Sequence, residues 1–188
     1  MELNKLSFVE DFFLSEIQRS DFSEVVRLVN SAYRGDSSRE GWTTEAEFLD
    51  GQRTDENSLA KELEGKNKKT VLCVRNRKTE EIIGTVFLEQ FVDEKGPNCY
   101  LGMLTVKPTM QNSGLGRWIL NEVEQHVKHW GVHRITLGVL NPRHELMAWY
   151  ERRGFVKNGI TEEFPYGQDQ FGLPKTKGLH FVMFEKTI

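Results

Sequence analysis

One segment of the chain has the residue types and spacing to grip an anion. Between Val106 and Arg117 it reads Val-Lys-Pro-Thr-Met-Gln-Asn-Ser-Gly-Leu-Gly-Arg. Tyr100 to Val106 is apolar and β-prone, whereas Leu115, Ile119, Val123 and Val127 recur every four residues on one helical face. The pattern predicts a strand that passes through a glycine loop into an amphipathic helix over 114–130. Unpaired N–H groups and the positive end of the helix dipole converge at such an entrance, and Gly114 and Gly116 let an anion approach the bare backbone. Ser113 is the expected N-cap, and Arg117 adds charge.

Two better-known phosphate loops fail on residues. A Walker loop needs Lys and then Ser or Thr after its last glycine, where this chain has Arg117 and Trp118. A Rossmann fingerprint needs a small residue at position 119, which is Ile119. What remains, Gln-x-x-Gly-x-Gly after Val-x-Pro, resembles the acetyl-coenzyme A loop of the GCN5-related N-acetyltransferases (GNAT). A second stretch, Asn141 to Phe155, resembles that family's later signature, in which a helical tyrosine is followed four residues on by Gly-Phe; here these are Tyr150, Gly154 and Phe155. One position departs from it: Arg143 stands seven residues before the tyrosine, where many members carry Asn, and Asn141 lies two places earlier. Several of these residues also have plain structural readings. Asn141-Pro142 suits a helix start, Gly154 a helix end, and Tyr150 a core aromatic.

The resemblance covers nearly the whole chain and implies one GNAT domain over 1–188, with an α/β (α+β) fold in which helices flank both faces of a mixed central β-sheet. It implies acetyl-CoA as co-substrate. Main-chain groups of Leu104, Thr105 and Val106 would meet the pantetheine arm, beside a bulge at Gly102 that splays two parallel strands. Gln111, Asn112, Ser113, Gly114, Leu115, Gly116 and Arg117 would hold the pyrophosphate, with Asn141 and Tyr150 completing the coenzyme site. The implied reaction is direct attack of an amine on the thioester in a ternary complex. Tyr150 would act as general acid to the thiolate, since a phenol of pKa about 10 stays protonated at neutral pH. Glu89 is a candidate base. Trp42, Glu45, Tyr100 and Tyr166 are candidate acceptor contacts; Phe164 and Phe171 would help to wall that pocket. Acidic residues there, including Glu47, Asp50, Glu162, Glu163 and Asp169, suggest a cationic acceptor. A small amine or amino acid-like acceptor leads; a protein N-terminal or lysine acetyltransferase and a non-catalytic acyl-CoA sensor stay open.

Composition bounds these readings. With 188 residues and 38% hydrophobic content, the chain can bury one good core. A net charge of -3 argues against nonspecific nucleic-acid binding, and Arg75 to Lys78 read as solvated turn residues. Cys73 and Cys99 lie in expected strands as small core side chains, which fits a reducing cytoplasm. The histidines and cysteines lack zinc-site pairings, so no metal is expected; His126, His129 and His133 read as surface residues. No apolar run is long enough to cross a membrane, and Met1 to Lys5 lack the basic start of a secretory signal.

The remaining elements follow from pattern. Phe13 to Gln18 reads as a first strand. Asp21 and Glu24 have capping-box spacing before a helix with Val25, Leu28, Val29 and Ala32 on one face. Thr44 and Glu47 repeat that spacing before an expected short helix, and another is expected around Lys61. Thr70 to Asn76 and Ile82 to Phe91 form an expected hairpin, and Arg134 to Leu140 a strand. Thr161 to Gly178 reads as a loop, and Leu179 to Glu185 as a final strand long and apolar enough to serve as a homodimer edge.

Overall fold

The computed structural model describes residues 10–188, so the reading of Met1 to Lys5 lies outside the described residues. Strand β1 (Phe12–Glu16) pairs antiparallel with β3 (Lys69–Asn76), β3 with β4 (Ile82–Asp93), and β4 with β5 (Gly96–Val106). β5 then runs parallel to β6 (Arg134–Leu140), and β6 is antiparallel to β9 (His180–Thr187), which pairs outward with β7 (Val156–Glu163). The seven-stranded sheet has the order β1-β3-β4-β5-β6-β9-β7, and a two-stranded sheet joins β2 (Leu49–Asp50) to β8 (Leu173–Pro174).

Helices cover both faces because the strands alternate. On β3, Val71 and Cys73 pack beneath α1 (Phe22–Tyr33) and α2 (Glu56–Glu62), while Leu72 and Val74 face α3 (Leu115–Lys128) and α4 (His144–Glu151). The expected stripe of α1 is buried as read, with Val25 and Val29 at 0% exposure; each such side chain contributes about 1.5–3 kcal/mol. Val123 and Val127 do the same for α3 on the opposite face.

The central feature is a bulge in β5. Its register against β4 shifts between Thr85 and Phe87, and Met103 adopts a left-handed φ of 45°. One extra residue reverses the alternation: Cys99 and Leu101 face the α3 side, Met103 turns to the α1 side, and Leu104 and Val106 resume on the α3 side. The Thr105 hydroxyl donates to the Met103 carbonyl at 2.9 Å, and the Thr85 hydroxyl at 3.5 Å, which anchors the bulge. The expected bulge is therefore present, with the strained residue one position after Gly102. β5 and β6 pair only at Cys99↔Ile135 and Tyr100↔Thr136 and then part.

Several expectations are corrected. Thr44 starts no helix; its hydroxyl accepts from Ala46 N at 3.0 Å, within a turn that leads into β2. Asp21 does not cap α1 with its side chain. It pairs instead with Arg75 at 2.6 Å, which also removes Arg75 from the solvated turn, and Glu24 accepts from Ile82 N. The expected late loop contains the end of β7, a strand exposed along most of its length and therefore without an apolar pattern. Because β7 covers β9, the final strand is not an edge. His126 is half-buried, its ring edge-on to Trp130 at 5.2 Å, while His129 and His133 are exposed. Cys73 and Cys99 are free and buried as expected. Among the described residues no helix is long and apolar enough to cross a membrane, and no cluster of potential metal ligands occurs.

Candidate active site

The glycine loop opens α3 as expected, with a different cap. Gly114 is the N-cap at φ 93°, in the left-handed region where a side chain is disfavoured, and Asn112 before it stands at φ 63°. Ser113, one residue before the cap, still accepts from Leu115 N through its Oγ at 3.3 Å, two residues on. Among the described residues no group accepts from the amides of Gly116 and Arg117, so two first-turn donors face outward beside the helix dipole. A Cβ at Gly116 would lie 3.3 Å from Trp149, so glycine lets that indole close against the loop.

Gln111 ties this loop to another. Its carbonyl accepts from Trp42 N at 2.9 Å and its amide donates to Val106 O at 3.3 Å, so the segment around Trp42 is hung beside the end of β5. A Cβ at Gly41 would fall on the Gln111 amide, so glycine leaves that side chain free to make both bonds. Trp42 and Trp149 have ring centroids 6.4 Å apart, and Arg153 stacks on Trp149 at 3.6 Å.

A cavity of about 330 Å³ runs along this wall, bounded by Trp42, Leu104, Val106, Gln111, Gly116 and Tyr150 among others. A second, of about 360 Å³, is lined by Tyr100, Gly102, Met103, Glu62, Phe164 and Phe171 among others. The two share Tyr33, Leu104, Arg143, Leu146 and Tyr150. They meet next to the bulge, where the Tyr33 hydroxyl donates to Leu104 O at 3.0 Å.

Tyr150 is 6% exposed, on α4. Its ring sits edge-on to Trp149 at 5.0 Å and to Phe155 at 5.5 Å. Burial, reinforced by Tyr33 and Tyr100 and opposed by Arg143, pushes its phenol above the usual 10.0. It is neutral at physiological pH.

The expected acceptor contacts separate. Tyr100 lines the second cavity, Trp42 the first. Tyr166 lines neither: its hydroxyl donates to Thr176 O at 3.2 Å and accepts from Leu179 N at 2.8 Å, bracing a surface loop. Glu45 lines the second cavity but is buried and already satisfied, Oε2 by Arg34 and Oε1 by Arg143 at 2.8 Å. Burial alone would raise its pKa, but Arg143, Arg34 and Arg53 together hold it below 4.5. A carboxylate so paired offers nothing to a cationic acceptor. Glu47 and Asp50 are exposed, and Asp169 lines neither cavity.

Glu89 also lines neither cavity. Its carboxylate accepts from Asn67 at 2.7 Å and lies 3.5 Å from Lys69. Asn141 does not cap α4, whose N-cap is Arg143; it joins β6 to β9, its carbonyl accepting from His180 N at 3.1 Å and its amide donating to Gly178 O at 3.3 Å. Sequence reasoning missed Tyr33, Arg53 and Glu62 in the cavity walls. Only the α1 pattern, which ends at Tyr33, gave any signal for them.

The sequence profile of the Acetyltransferase (GNAT) family matches residues 23–155. A search of curated proteins returned no match. Among solved structures, the chain is similar to a ribosomal-protein-alanine N-acetyltransferase from Brucella melitensis, with a TM-score of 0.65 at 18% identity over 94% of this chain and 99% of that one. It is similar to a spermidine N-acetyltransferase chimera from Vibrio cholerae, with a TM-score of 0.64 at 16% identity over 94% of this chain and 95% of that one. A GNAT family acetyltransferase from Elizabethkingia anophelis with acetyl-CoA bound scores 0.51 at 17% identity, over 64% of this chain and 76% of that one. At such identities these likenesses concern the fold. The profile match spans well over half the chain, which belongs to the GNAT acetyltransferase family, a family of acyltransferases that uses acetyl-CoA.

Proposed function

We propose that this GNAT-family chain transfers an acetyl group from acetyl-CoA to the primary amine of a small molecule, by direct attack in a ternary complex with Tyr150 as general acid. One observation carries this assignment: a glycine-loop cavity and a second, aromatic-walled cavity meet at Tyr150 beside the bulge of β5.

The residues fit a coenzyme with a diphosphate. Two amides at the mouth of α3 are unpaired, and Arg117, Arg152 and Arg153 gather around an adjoining cavity in which Lys186 is paired with Glu124. Burial first, and then repulsion from Arg152 and Arg117, lowers the pKa of Arg153, and its buried Nε lacks a partner. A phosphate relieves both costs. In this role Leu104, Thr105 and Val106 border the arm, while Gln111 through Arg117 hold the pyrophosphate. Asn141 supports the strand end from behind.

Acetyl-CoA supplies an activated thioester. The parted strands give this chain room to hold donor and acceptor together, so geometry supplies much of the rate. As the C–N bond forms, an N–H of the bulged strand stabilises the developing oxyanion; as the C–S bond breaks, Tyr150 gives its proton to the departing thiolate, and the proton shed by the amine nitrogen, passed through water, restores the phenol. The second cavity is walled by Phe164, Phe171 and Phe181 and crowded by Leu49 of the small sheet, which favours a small acceptor over a protein N-terminus or a protein lysine. Catalysis rather than sensing is favoured because Tyr150 borders both cavities.

The test is calorimetry with acetyl-CoA, followed by thiol release against an amine panel. Binding with release is expected. Absence of binding would end the proposal, and tight binding without release from any amine would favour a sensor.

A further inference from the structure

We infer that the acceptor bears a carboxylate beside its amine and that Arg53 binds it; this rests on the acyl-transfer assignment above. Three arginines, Arg34, Arg53 and Arg143, line the second cavity. Arg34 and Arg143 consume both oxygens of the buried Glu45. Arg53 is left over. Its guanidinium lies 5.7 Å from the centre of the Tyr33 ring and forms no ion pair or hydrogen bond with a described residue. Burial disfavours the charge, but Glu45, Tyr33 and Glu62 outweigh it and raise the pKa; because neither acid bonds the guanidinium, its N–H donors stay open to an incoming anion.

The chemistry of that anion follows from the fork. Five donors in one plane match the two oxygens of a carboxylate. Tyr33, over which Arg53 sits, borders both cavities, so a carboxylate held there is on the wall that leads to Tyr150. A charge of the opposite sign stands in the same cavity. Glu62 has a buried Oε2 without a hydrogen-bond partner, suited to an ammonium. Glu162 and Glu163 also line the cavity, but from the exposed strand β7, where water screens them. Arg53 and Glu62 attract each other through space without bonding, and a wall with one unbonded cation and one unbonded carboxylate complements an amino acid better than a polyamine. This reverses the cationic-acceptor expectation from the acidic loops.

The experiment uses the full chain with acetyl-CoA and three matched sets: the common amino acids, their amides, and the amines lacking the carboxylate. Thiol release is expected with at least one amino acid, at a kcat/KM about 10- to 100-fold above its amide, the worth of one charge-assisted contact. In Arg53→Met that ratio collapses towards one while acetyl-CoA affinity, measured by calorimetry, persists; Arg53→Lys restores part of it. Release from none of the sets, or no acetyl-CoA binding by the unaltered chain, defeats the acyl-transfer assignment itself. Release that is equal for acids and amides, or a ratio that Arg53→Met leaves unchanged, defeats only the inference, so the two failures are distinct.

Discussion

Replacing Tyr150 by Phe tests the chemistry through a single atom. The ring keeps its edge-on contacts with Trp149 and Phe155, at 5.0 and 5.5 Å, so the core loses only a hydroxyl. At ordinary values a phenol of pKa about 10 donates to a thiolate of about 8.5 uphill by about 2 kcal/mol. Burial raises the phenol further, which taken alone widens the mismatch. Yet burial penalises every anion. The Cys73 and Cys99 thiols, enclosed in the same sheet, are both pushed up to about 12. A thiolate formed against Tyr150 meets the same penalty, so the gap does not grow in step with the phenol. Losing one hydrogen bond to a charged group costs about 1.5–3 kcal/mol, which is a fall in kcat of about 10- to 100-fold. The assay is initial-rate thiol release at saturating acetyl-CoA, with calorimetric Kd measured alongside. We expect kcat to fall and Kd to hold. The acid limb of a pH profile is unaffected by Tyr150, and any alkaline loss due to it lies above pH 10.0, because the raised pKa keeps the donor protonated below that value. An unchanged kcat, or a loss confined to Kd, would refute the reasoning.

Other predictions concern the cavity walls. Glu45→Ala strands Arg34 and Arg143 as unpaired buried cations and should cost about 3–5 kcal/mol, read as a lowered midpoint in urea unfolding. Because the folded pKa of Glu45 lies below 4.5, its stabilisation is present above pH 4.5 and is lost as pH falls through the lower folded value. Unfolding followed from pH 6 downward should therefore show a loss that Glu45→Gln blunts. Gly41→Ala sets a methyl group on the Gln111 amide and should turn that side chain away from Trp42 N and Val106 O, at a cost of about 1 kcal/mol in lost hydrogen bonding that loosens the Trp42 segment. Weaker acetyl-CoA binding in calorimetry, with the fold retained by circular dichroism, would bear that out.

Much of the fold could be read because the buried faces repeat. Val25, Leu28, Val29 and Ala32 on α1, and Leu115, Ile119, Val123 and Val127 on α3, announce their helices and are buried where expected. β7 could not be read in this way. It is an edge strand exposed on both faces, so nothing imposed alternation on Val156 to Glu163. Capping signals proved weaker than periodicity. Asp21 and Thr44 have the right spacing, but Arg75 and Ser38 compete for their oxygens, and tertiary partners won. The bulge was legible only as a glycine. The extra residue that turns Met103 to the other face depends on β4 register, which no local pattern records.

The same contrast explains the site. Its proposed phosphate-binding half is a contiguous string shaped by backbone conformation, so glycine spacing alone marks Gly114 and Gly116. Its acceptor half is assembled from single side chains at the end of α1, in the segment before α2, on α2 itself and on β5. Tyr33, Arg53, Glu62 and Tyr100 share no spacing, and only the packing of α1 and α2 over one face of the sheet brings them to one cavity. Counting charges along the chain then misleads. Glu45 looked like a free acid near the acceptor and is bonded by two arginines, whereas Arg53 looked unremarkable and is the cation in the cavity left without a bonded counter-ion. Specificity in such a site is set by which charges remain after the interior has paired the rest, and that remainder exists only in the fold.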